Sequence, residues 1–274
     1  MPKALSVKDD LASPAEAGLN IFARYDALRL QTYRDTENLH SRIYIRSLGG
    51  ATLLRFDDVG YFNRIYTAGD SLSLHLPEAE RHYAGCTFAC ELITPGDDLA
   101  EETTYACMRR GWSRGKSYSW LAARVEDLEM ASVRTAFAVH EVQSHEQLDF
   151  LAAYLSAFEA DRRNFPFAIR NMRHLFQHCS LTFHLATSND EPVGVGITFA
   201  DGDAIALCAG ATLPKFRNHG CHHALLAARV ALARERGYRY IYSWAGKGGQ
   251  SESNMVHAGL KLVATTTAWR YLPA

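Results

Sequence analysis

The sequence has no C-x-x-C pair, and no apolar run approaches the ~20 residues that cross a bilayer. The six cysteines are irregularly spaced; they are Cys86, Cys90, Cys107, Cys179, Cys208 and Cys221. This spacing argues against a disulfide framework and favours reduced, mostly buried thiols. The first residues also lack the basic-then-apolar layout of a signal peptide. Together these absences predict a cytoplasmic protein that does not insert into a membrane.

An excess of charge of either sign is also missing. The 29 basic and 30 acidic residues give a net charge of −1 and a pI near 6.9. This balance argues against a broad electrostatic surface for DNA or RNA, so we expect no nucleic-acid partner. With 274 residues, 47% of them hydrophobic, the chain has the composition of a soluble globular protein with room for two ordinary domains.

Three local signals predict individual elements. Pro14 marks the start of a helix that runs to Arg34. Ser144, with Gln147 three residues later, has the pattern of a capped helix start. The pair at 189–190, Asn-Asp, predicts the turn of a hairpin between two apolar runs.

One stretch dominates the second half of the chain. An apolar run at 204–208 predicts a strand, residues 209–223 a sharp turn, and the Ala/Leu-rich residues 224–236 a helix. A helix N-terminus has unpaired backbone N–H groups and a partial positive charge, and a residue such as Gly220 lets a bulky anion approach the backbone. Arg217 adds a side-chain cation. The pattern therefore predicts a phosphate or pyrophosphate site.

The spacing Arg217-x-x-Gly220-x-His222 resembles the acyl-coenzyme-A loop of the GNAT N-acetyltransferase superfamily. That loop has Arg or Gln, two residues, Gly, one residue, and then Gly or Ala, after a turn like the Thr-Leu-Pro at 212–214. The sequence departs from the family at His222, where a small residue is usual. This side chain either crowds the pyrophosphate or adds a hydrogen bond to it. The alternative is an ordinary βαβ unit whose loop binds nothing.

The elements that follow the loop extend the resemblance, which covers residues 136–274. Residues 238–244 predict a strand, and residues 250–258 predict a short helix. Gly259 and Leu260 then open a final strand, at the place where the family has Gly-Phe.

The first half of the chain repeats this order of elements, with Gly111 in the place of Gly259. We therefore predict an α/β (α+β) protein of two GNAT-like domains, residues 1–134 and 135–274, each a mixed, mostly antiparallel twisted sheet flanked by helices. The first domain is degenerate, because no Arg-x-x-Gly pattern follows the Ala-Gly-Asp at 68–70. It serves as a scaffold or as one wall of the substrate cleft. Chance recurrence of short α/β elements is the alternative.

The resemblance implies which residues hold the coenzyme. The strand before the loop splays from its neighbour, and its free backbone groups bind the pantetheine arm and the acetyl oxygen; these residues are Gly210, Ala211, Thr212 and Leu213. The loop residues at the pyrophosphate are Arg217, Asn218, His219, Gly220, Cys221 and His222. Ser251 and Asn254, three apart on the next helix, contact the coenzyme arm. The alternatives are a simple strand bulge, a solvated Arg217 and helix capping.

The catalytic groups are not fixed by the sequence. The family's tyrosine near the sulfur falls on Met255, which cannot protonate a thiolate. His257, Tyr242 and Ser253 are candidates for the general acid by proximity in sequence alone, beside a water or a backbone N–H. No Asp or Glu occurs at 204–213, so the base is unassigned.

Imidazole and thiolate groups of zinc-ligand type cluster in the turn, at His219, Cys221, His222 and His223. A turn followed by a helix start points these side chains in different directions, and no second ligand pair lies at metal spacing. We therefore expect no metal.

The resemblance implies transfer of an acetyl group from the co-substrate acetyl-CoA to the amine of a small molecule, by direct attack in a ternary complex. We expect the acceptor between the two domains, where ligand sites are common. Two alternatives stay open: a non-catalytic acyl-CoA sensor or interaction module, which Met255 and His222 favour, and a transferase that uses another acyl donor. The acceptor, the acyl chain preference and the oligomeric state are not predicted.

Overall fold

Six helices and eleven strands make up the computed structural model, which describes residues 13–68, 72–96, 101–129, 136–144, 147 and 165–273. The helices are α1 (Pro14–Thr36), α2 (Leu72–Tyr83), α3 (Glu101–Arg109), α4 (Phe165–Leu175), α5 (Cys221–Glu235) and α6 (Gln250–His257). The strands are β1 (Ile43–Leu48), β2 (Ala51–Phe56), β3 (Arg64–Tyr66), β4 (Cys90–Ile93), β5 (Ser113–Arg124), β6 (Ala138–Glu141), β7 (Leu181–Ser188), β8 (Glu191–Asp201), β9 (Ala204–Thr212), β10 (Tyr240–Gly246) and β11 (Lys261–Tyr271).

All eleven strands lie in one sheet, in the order β1-β2-β3-β4-β11-β5-β10-β9-β8-β7-β6. The pairs β3–β4 and β9–β10 are parallel, and every other neighbouring pair is antiparallel. The predicted fold class, mixed and mostly antiparallel with flanking helices, is therefore confirmed. The sheet is continuous across both halves of the chain.

The two halves exchange their last strands at the centre of this sheet. β5 belongs to the first half but pairs with β10, and β11 belongs to the second half but pairs with β4. The two strands also pair with each other, from Lys261 opposite Ala122 to Arg270 opposite Ser113. Outward from this central pair, the strands β4, β3, β2 and β1 on one side correspond to β10, β9, β8 and β7 on the other. In each series the first two strands are parallel to each other and the later pairs are antiparallel. This correspondence agrees with a repeated unit; the division at residue 134 stays a prediction, since residues 130–135 are outside those described.

The helix predicted from Pro14 is confirmed as α1. Its start is fixed by a capping box, in which the Ser13 hydroxyl accepts the Glu16 N–H and the Glu16 carboxylate accepts the Ser13 N–H. α1 packs on the central strands, and Phe22 lies 5.9 Å from the Trp120 ring and 5.7 Å from the Trp244 ring. This apolar contact joins the first helix of the chain to strands of both halves.

Other local signals also agree with the structure. Asn189 and Asp190 have φ of 50° and 64° and form the turn between β7 and β8. Gly111 and Gly259 have φ of 83° and 98°, and each lies between a helix and the last strand of its half. The Gln147 side chain accepts the backbone N–H groups of Gln143 and Ser144, as the capping pattern predicts, but the helix that would follow is outside the described residues.

The predicted start of α5 is wrong by one turn of helix, and β5 is longer than its own apolar run indicates. α5 begins at Cys221 rather than at residue 224, because Gly220 takes the left-handed conformation (φ 89°) and turns the chain directly into the helix. β5 begins at Ser113, several residues earlier than its apolar run, because β11 pairs with it over this whole length. Pairing with a distant strand extends β5 beyond what its own composition predicts.

Candidate functional site

A gap opens between the neighbouring strands β9 and β10. The two strands pair over three residues only, from Tyr240 opposite Ala204 to Tyr242 opposite Ala206. Beyond this point β9 stays with β8, and β10 stays with β5. The Ser243 hydroxyl donates to the Leu207 carbonyl at 3.2 Å and closes the narrow end of the gap. The splay that the family resemblance implies is therefore present.

Backbone groups of β9 face this gap at alternate residues. The Leu213 N–H donates to the Val193 carbonyl of β8 at 2.9 Å, so it is turned away from the gap. Because N–H directions alternate along a strand, Gly210 and Thr212 present their N–H groups to the gap, and Ala211 presents its own to β8. Of the four residues predicted here, two can thus donate to a ligand between the strands.

A β-bulge accompanies the splay. Gly196 is opposite Gly210, but the next residue, Ile197, is opposite Cys208, so Ala209 is an extra residue in β9. The bulge that was an alternative to ligand binding is therefore real, and it lies at the same place as the gap. A bulge bends its strand locally, which is one way to turn β9 away from β10.

The loop beyond β9 presents the start of α5. A 3-10 turn at Pro214–Phe216 leads to Arg217, and Asn218 and Gly220 have φ of 64° and 89°. Arg217, Asn218 and His219 are exposed. The Arg217 Nε donates to the Thr212 carbonyl at 3.2 Å, which ties the cation to the end of β9. The first N–H groups of α5 have no partner within the helix, so this loop can hold an anion.

His222 points inward, towards α6 and β9. Its Nδ1 lies 3.3 Å from the Asn254 Nδ2, and its Nε2 lies 3.6 Å from the position that a Cβ on Gly210 would take. Burial, followed by the nearby Arg229 and His223, lowers the pKa of His222 to about 4. The imidazole is therefore neutral at pH 7. Since the Asn254 amide donates to Nδ1, the proton is on Nε2, on the Gly210 side.

The α6 residues differ in exposure. Asn254 is half-buried, and its Oδ1 accepts the Gln250 Nε2 at 2.9 Å, whereas Ser251 is exposed. Met255 is 3% exposed and packs in the core between the sheet and α5. The family's tyrosine position is thus occupied by a core side chain.

The three candidates for a general acid lie away from the open gap or point to solvent. Ser253 and His257 are exposed on α6, and the His257 Nδ1 is 2.7 Å from the Ser253 carbonyl. Tyr242 is 8% exposed in the paired section of β10, where its ring packs against Gly18. Burial raises the pKa of Tyr242. Their catalytic role stays a prediction.

The cysteine of the loop is turned into the core. Cys221 is 1% exposed, and its Sγ lies 2.8 Å from the position of a Cβ on Gly194. Burial raises the pKa of this thiol. Cys221 can therefore meet a coenzyme through its backbone N–H alone. Over the described ranges, no group of three or more His, Cys, Asp or Glu side chains is arranged to hold a metal ion.

Sequence reasoning missed Arg229, which lies on α5 beneath the bulge. The residue is 1% exposed, and its Nε and Nη1 donate to the carbonyls of Leu225 (3.0 Å) and Cys208 (3.2 Å). Its guanidinium occupies the space that two glycines leave, Gly196 and Gly210. Burial lowers the pKa of Arg229 to about 10. An arginine in an Ala/Leu-rich helix, with glycines in two neighbouring strands, is the signal that could have found it.

Sequence reasoning also missed a polar cluster on the opposite face of the sheet, which we call the Glu91 cluster: Tyr61, Arg64, Glu91, Tyr118 and Trp244. The Arg64 Cζ lies 4.3 Å from the Tyr61 ring centroid and 5.3 Å from that of Trp244, and its Nε is 4.0 Å from a Glu91 oxygen. The Tyr118 and Trp244 rings are 4.7 Å apart. Trp244 follows Ser243, so the cluster borders the gap and joins residues of both halves.

A buried ion network supports this cluster. Asp26 is 3% exposed; its carboxylate accepts Arg64 Nη1 at 2.8 Å and the Tyr66 hydroxyl at 2.7 Å, and pairs with Arg29 at 3.2 Å. Asp26 thus pairs with both the buried Arg64 and the half-buried Arg29, and the partly exposed Glu91 lies beside Arg64.

Comparison with protein families matches residues 104–250 to the acetyltransferase (GNAT) domain. This span is more than half of the chain and contains β5 to β10, the gap and the loop. The chain therefore belongs to the GNAT acetyltransferase family. Comparison with curated proteins finds no match.

Solved structures share the fold along most of the chain. A GCN5-related N-acetyltransferase from Kribbella flavida is 18% identical, with a TM-score of 0.63 over 92% of this chain and 96% of that one. A functionally unknown conserved protein from Staphylococcus epidermidis is 11% identical, with a TM-score of 0.65 over 87% and 97%. A tandem GNAT protein from the clavulanic acid biosynthesis pathway is 11% identical, with a TM-score of 0.57 over 82% and 80%.

Within the part of the chain that the structure describes, no helix is both long enough and apolar enough to cross a membrane.

Proposed function

We propose that this protein is an N-acetyltransferase that moves an acetyl group from acetyl-CoA to the amine of a small molecule, by direct attack in a ternary complex. Family membership supports acyl transfer. The observation that carries the finer proposal is the gap between β9 and β10, which opens beside a helix N-terminus preceded by Gly220. A gap of this kind offers backbone donors to a coenzyme arm without disrupting a paired strand.

The coenzyme would lie on the α5 side of the sheet. Its pyrophosphate would accept the free N–H groups at the start of α5, next to Arg217. Its arm would run along β9, where Thr212 and Gly210 present N–H groups, towards Asn254 on α6. In this arrangement the Gly210 N–H donates to the thioester oxygen. The residues present therefore fit the co-substrate, with His222 beside the arm.

The acceptor would approach from the Glu91 cluster. At neutral pH a primary amine is an ammonium ion. Glu91 is the partly exposed carboxylate of this cluster, which borders the gap, and it lies beside the aromatic rings of Tyr118 and Trp244. A carboxylate there attracts the ammonium group and receives its proton, directly or through water. The acceptor would then lie between strands of both halves, as expected for a cleft between two domains.

In the reaction, the neutral amine attacks the thioester carbon. The C–N bond forms, the C–S bond breaks, and the thiolate takes a proton as the nitrogen gives one up.

We further propose a cytoplasmic location, a chain divided into domains at residues 1–134 and 135–274, and neither metal nor nucleic acid as a partner.

Two other functions remain as alternatives, and the experiments described below distinguish them from the proposed one. Met255 in the tyrosine position and His222 in the loop favour an acyl-CoA sensor, which would bind acetyl-CoA without transferring the acetyl group. A transferase with another acyl donor would fail to bind coenzyme A itself.

Calorimetric titration with acetyl-CoA tests the proposal. The native protein should bind saturably, and Arg217→Glu combined with Gly220→Asp should abolish binding. Arg239→Glu is the matched control for Arg217→Glu, because it makes the same charge change on an exposed side chain at the opposite end of β10. Thiol release on a panel of amines then separates an enzyme from a sensor. No binding by the folded native protein would overturn the proposal.

A further inference from the structure

Arg229 is a buried cation that lacks a carboxylate partner among the residues that the structure describes. Over the described residues no Asp or Glu forms an ion pair with it, and its hydrogen bonds go to the carbonyls of Leu225 and Cys208. Removing a charged group from water costs free energy. An apolar side chain of similar volume would fill the same space without this cost, so stability alone does not explain a buried arginine here. A buried charge of this kind is often retained for function.

The groups around Arg229 do not supply the missing negative charge. The titratable groups that feel the charge of Arg229 are His184 on β7, Cys208 on β9 and His222 on α5. The carboxylates of β8 have other partners, since Asp201 pairs with Arg24 and Glu191 lies 4.0 Å from Lys215. Glu141 is paired with Arg236 at 3.1 Å. Across the sheet, Asp26 is paired with Arg29 and Arg64. Burial keeps His184 and His222 neutral, since it lowers the pKa of each to about 4.

The free side of the guanidinium is directed at Gly210. The Arg229 Nη2 lies 3.5 Å from the position that a Cβ on Gly210 would take, and the His222 Nε2 lies 3.6 Å from the same point. Glycine at 210 therefore leaves two side-chain donors close to the strand residue whose N–H faces the gap. A guanidinium, an imidazole N–H and a backbone N–H converge there.

We propose that Arg229 is the fixed positive charge that stabilises the negative charge formed at Gly210 during acyl transfer, on the thioester oxygen and then on the departing sulfur. This inference rests on the proposed function. It gives Arg229 the task of stabilising the departing thiolate, which the family's tyrosine would otherwise perform and Met255 cannot. Arg229 acts from behind the strand and does not touch the substrate, so it is an electrostatic positioning residue.

The charges of the step balance with this assignment. Attack by the amine forms the C–N bond and moves the carbonyl π electrons to oxygen, beside the Gly210 N–H. The oxyanion then collapses, the C–S bond breaks, and its electron pair leaves on sulfur as a thiolate. The thiolate later takes the proton that the nitrogen has released. Arg229 stays protonated throughout and attracts both anions.

A packing role is the competing explanation. In that case Arg229 only fills the space beside Gly196 and Gly210 and anchors the bulge through the Cys208 carbonyl. Its replacement would then change the stability or the coenzyme affinity, without a specific effect on a bound thiolate.

The experiment uses coenzyme A itself, so it needs no knowledge of the acceptor. The ultraviolet absorbance of the thiolate is followed against pH for coenzyme A free and bound to the full-length native protein, Arg229→Met and Arg229→Lys. We expect binding to lower the pKa of the thiol by about one unit or more in the native protein, which is about a tenfold larger thiolate fraction below that pKa. Arg229→Met should remove most of this shift, and Arg229→Lys should keep part of it. Arg239→Met is the control for loss of an exposed cation.

The outcomes separate the two proposals. Calorimetry that shows no binding of coenzyme A to the native protein would overturn the proposed function and this inference with it. Binding with an unshifted thiol in the native protein would overturn the inference alone, whether or not the variants fold. A shift that survives in Arg229→Met would do the same. In turnover, we expect Arg229→Met to lower kcat about 10- to 100-fold while the KM for acetyl-CoA changes less than about threefold.

Discussion

Gly196→Ala is the most direct test of how closely Arg229 is held. A Cβ at residue 196 would lie 3.0 Å from both Cζ and Nε of Arg229, whereas carbon contacts are normally about 3.5–4.0 Å. The guanidinium must therefore move by roughly half an ångström, and its bonds to the Leu225 and Cys208 carbonyls resist the movement. Gly210→Ala is the matched control, since its Cβ meets Arg229 and His222 at 3.5 and 3.6 Å, an ordinary contact.

The size of the effect follows from overpacking. Extra atoms in a well-packed core cost about 1–3 kcal/mol, and alanine recovers roughly 0.5–1 kcal/mol of backbone entropy in a strand. We expect Gly196→Ala to lower the free energy of unfolding by about 1–2 kcal/mol, and the Tm by roughly 2–4 °C. Gly210→Ala has no overpacking to offset the entropy gain, so it should leave the free energy of unfolding unchanged or raise it by up to about 1 kcal/mol.

Urea unfolding followed by tryptophan fluorescence measures both variants. Equal stability of Gly196→Ala and the native protein would show that Arg229 has room to move and is not fixed beneath the bulge. A larger loss for Gly210→Ala than for Gly196→Ala would contradict the placement of the guanidinium itself.

Three further predictions concern other parts of the molecule. Glu91→Gln should raise the KM for whichever amine supports turnover about 10- to 100-fold, and change the calorimetric Kd for acetyl-CoA less than about twofold; an unchanged KM would exclude Glu91 from the acceptor site. Asp26→Ala removes the buried carboxylate that pairs with Arg64 and Arg29, so urea unfolding should show a loss of about 3–5 kcal/mol, and a loss below about 1 kcal/mol would contradict the network. In the folded protein the pKa of His184 is about 4, below its ordinary 6.5. Below pH 6.5 the unfolded chain therefore binds a proton that the folded protein does not, so the free energy of unfolding is highest above pH 6.5 and decreases as the pH falls towards 4. Thermal unfolding of His184→Phe should therefore depend less on pH in this window than that of the native protein, and parallel curves would refute the shift.

Local chemistry made part of the fold predictable. Pro14 and the hairpin turn at Asn189 act within a few residues, so their sequence signals were sufficient. The resemblance at Arg217 and Gly220 also predicts the splayed strand, which the short pairing of β9 with β10 agrees with. The exchange of β5 and β11 could not be predicted in this way, since their pairing joins residues far apart in sequence and leaves no local signature.

The site was harder to predict than the loop, because side-chain direction depends on the finished packing. His222 is predicted at the pyrophosphate loop from its position in the sequence, but its contact with Asn254 on another helix has no signal there. Arg229 would be a surface residue in most helices, and only the two glycines opposite it make room for burial. Glu91 and Trp244 come from different halves, so no single stretch of sequence places them in one cluster.

The exchanged strands also set an order for the synthesis of the chain. β5 leaves the ribosome well before both of its neighbours, because β10 and β11 belong to the second half of the chain. The Ser113–Arg124 segment therefore stays unpaired on both edges until β10 and β11 have been made, and an exposed edge of this length is prone to wrong pairing. The gap between β9 and β10 needs β10 fixed against β5, so it forms only after strands of both halves have been made. A product of synthesis interrupted before β10 would lack this gap altogether.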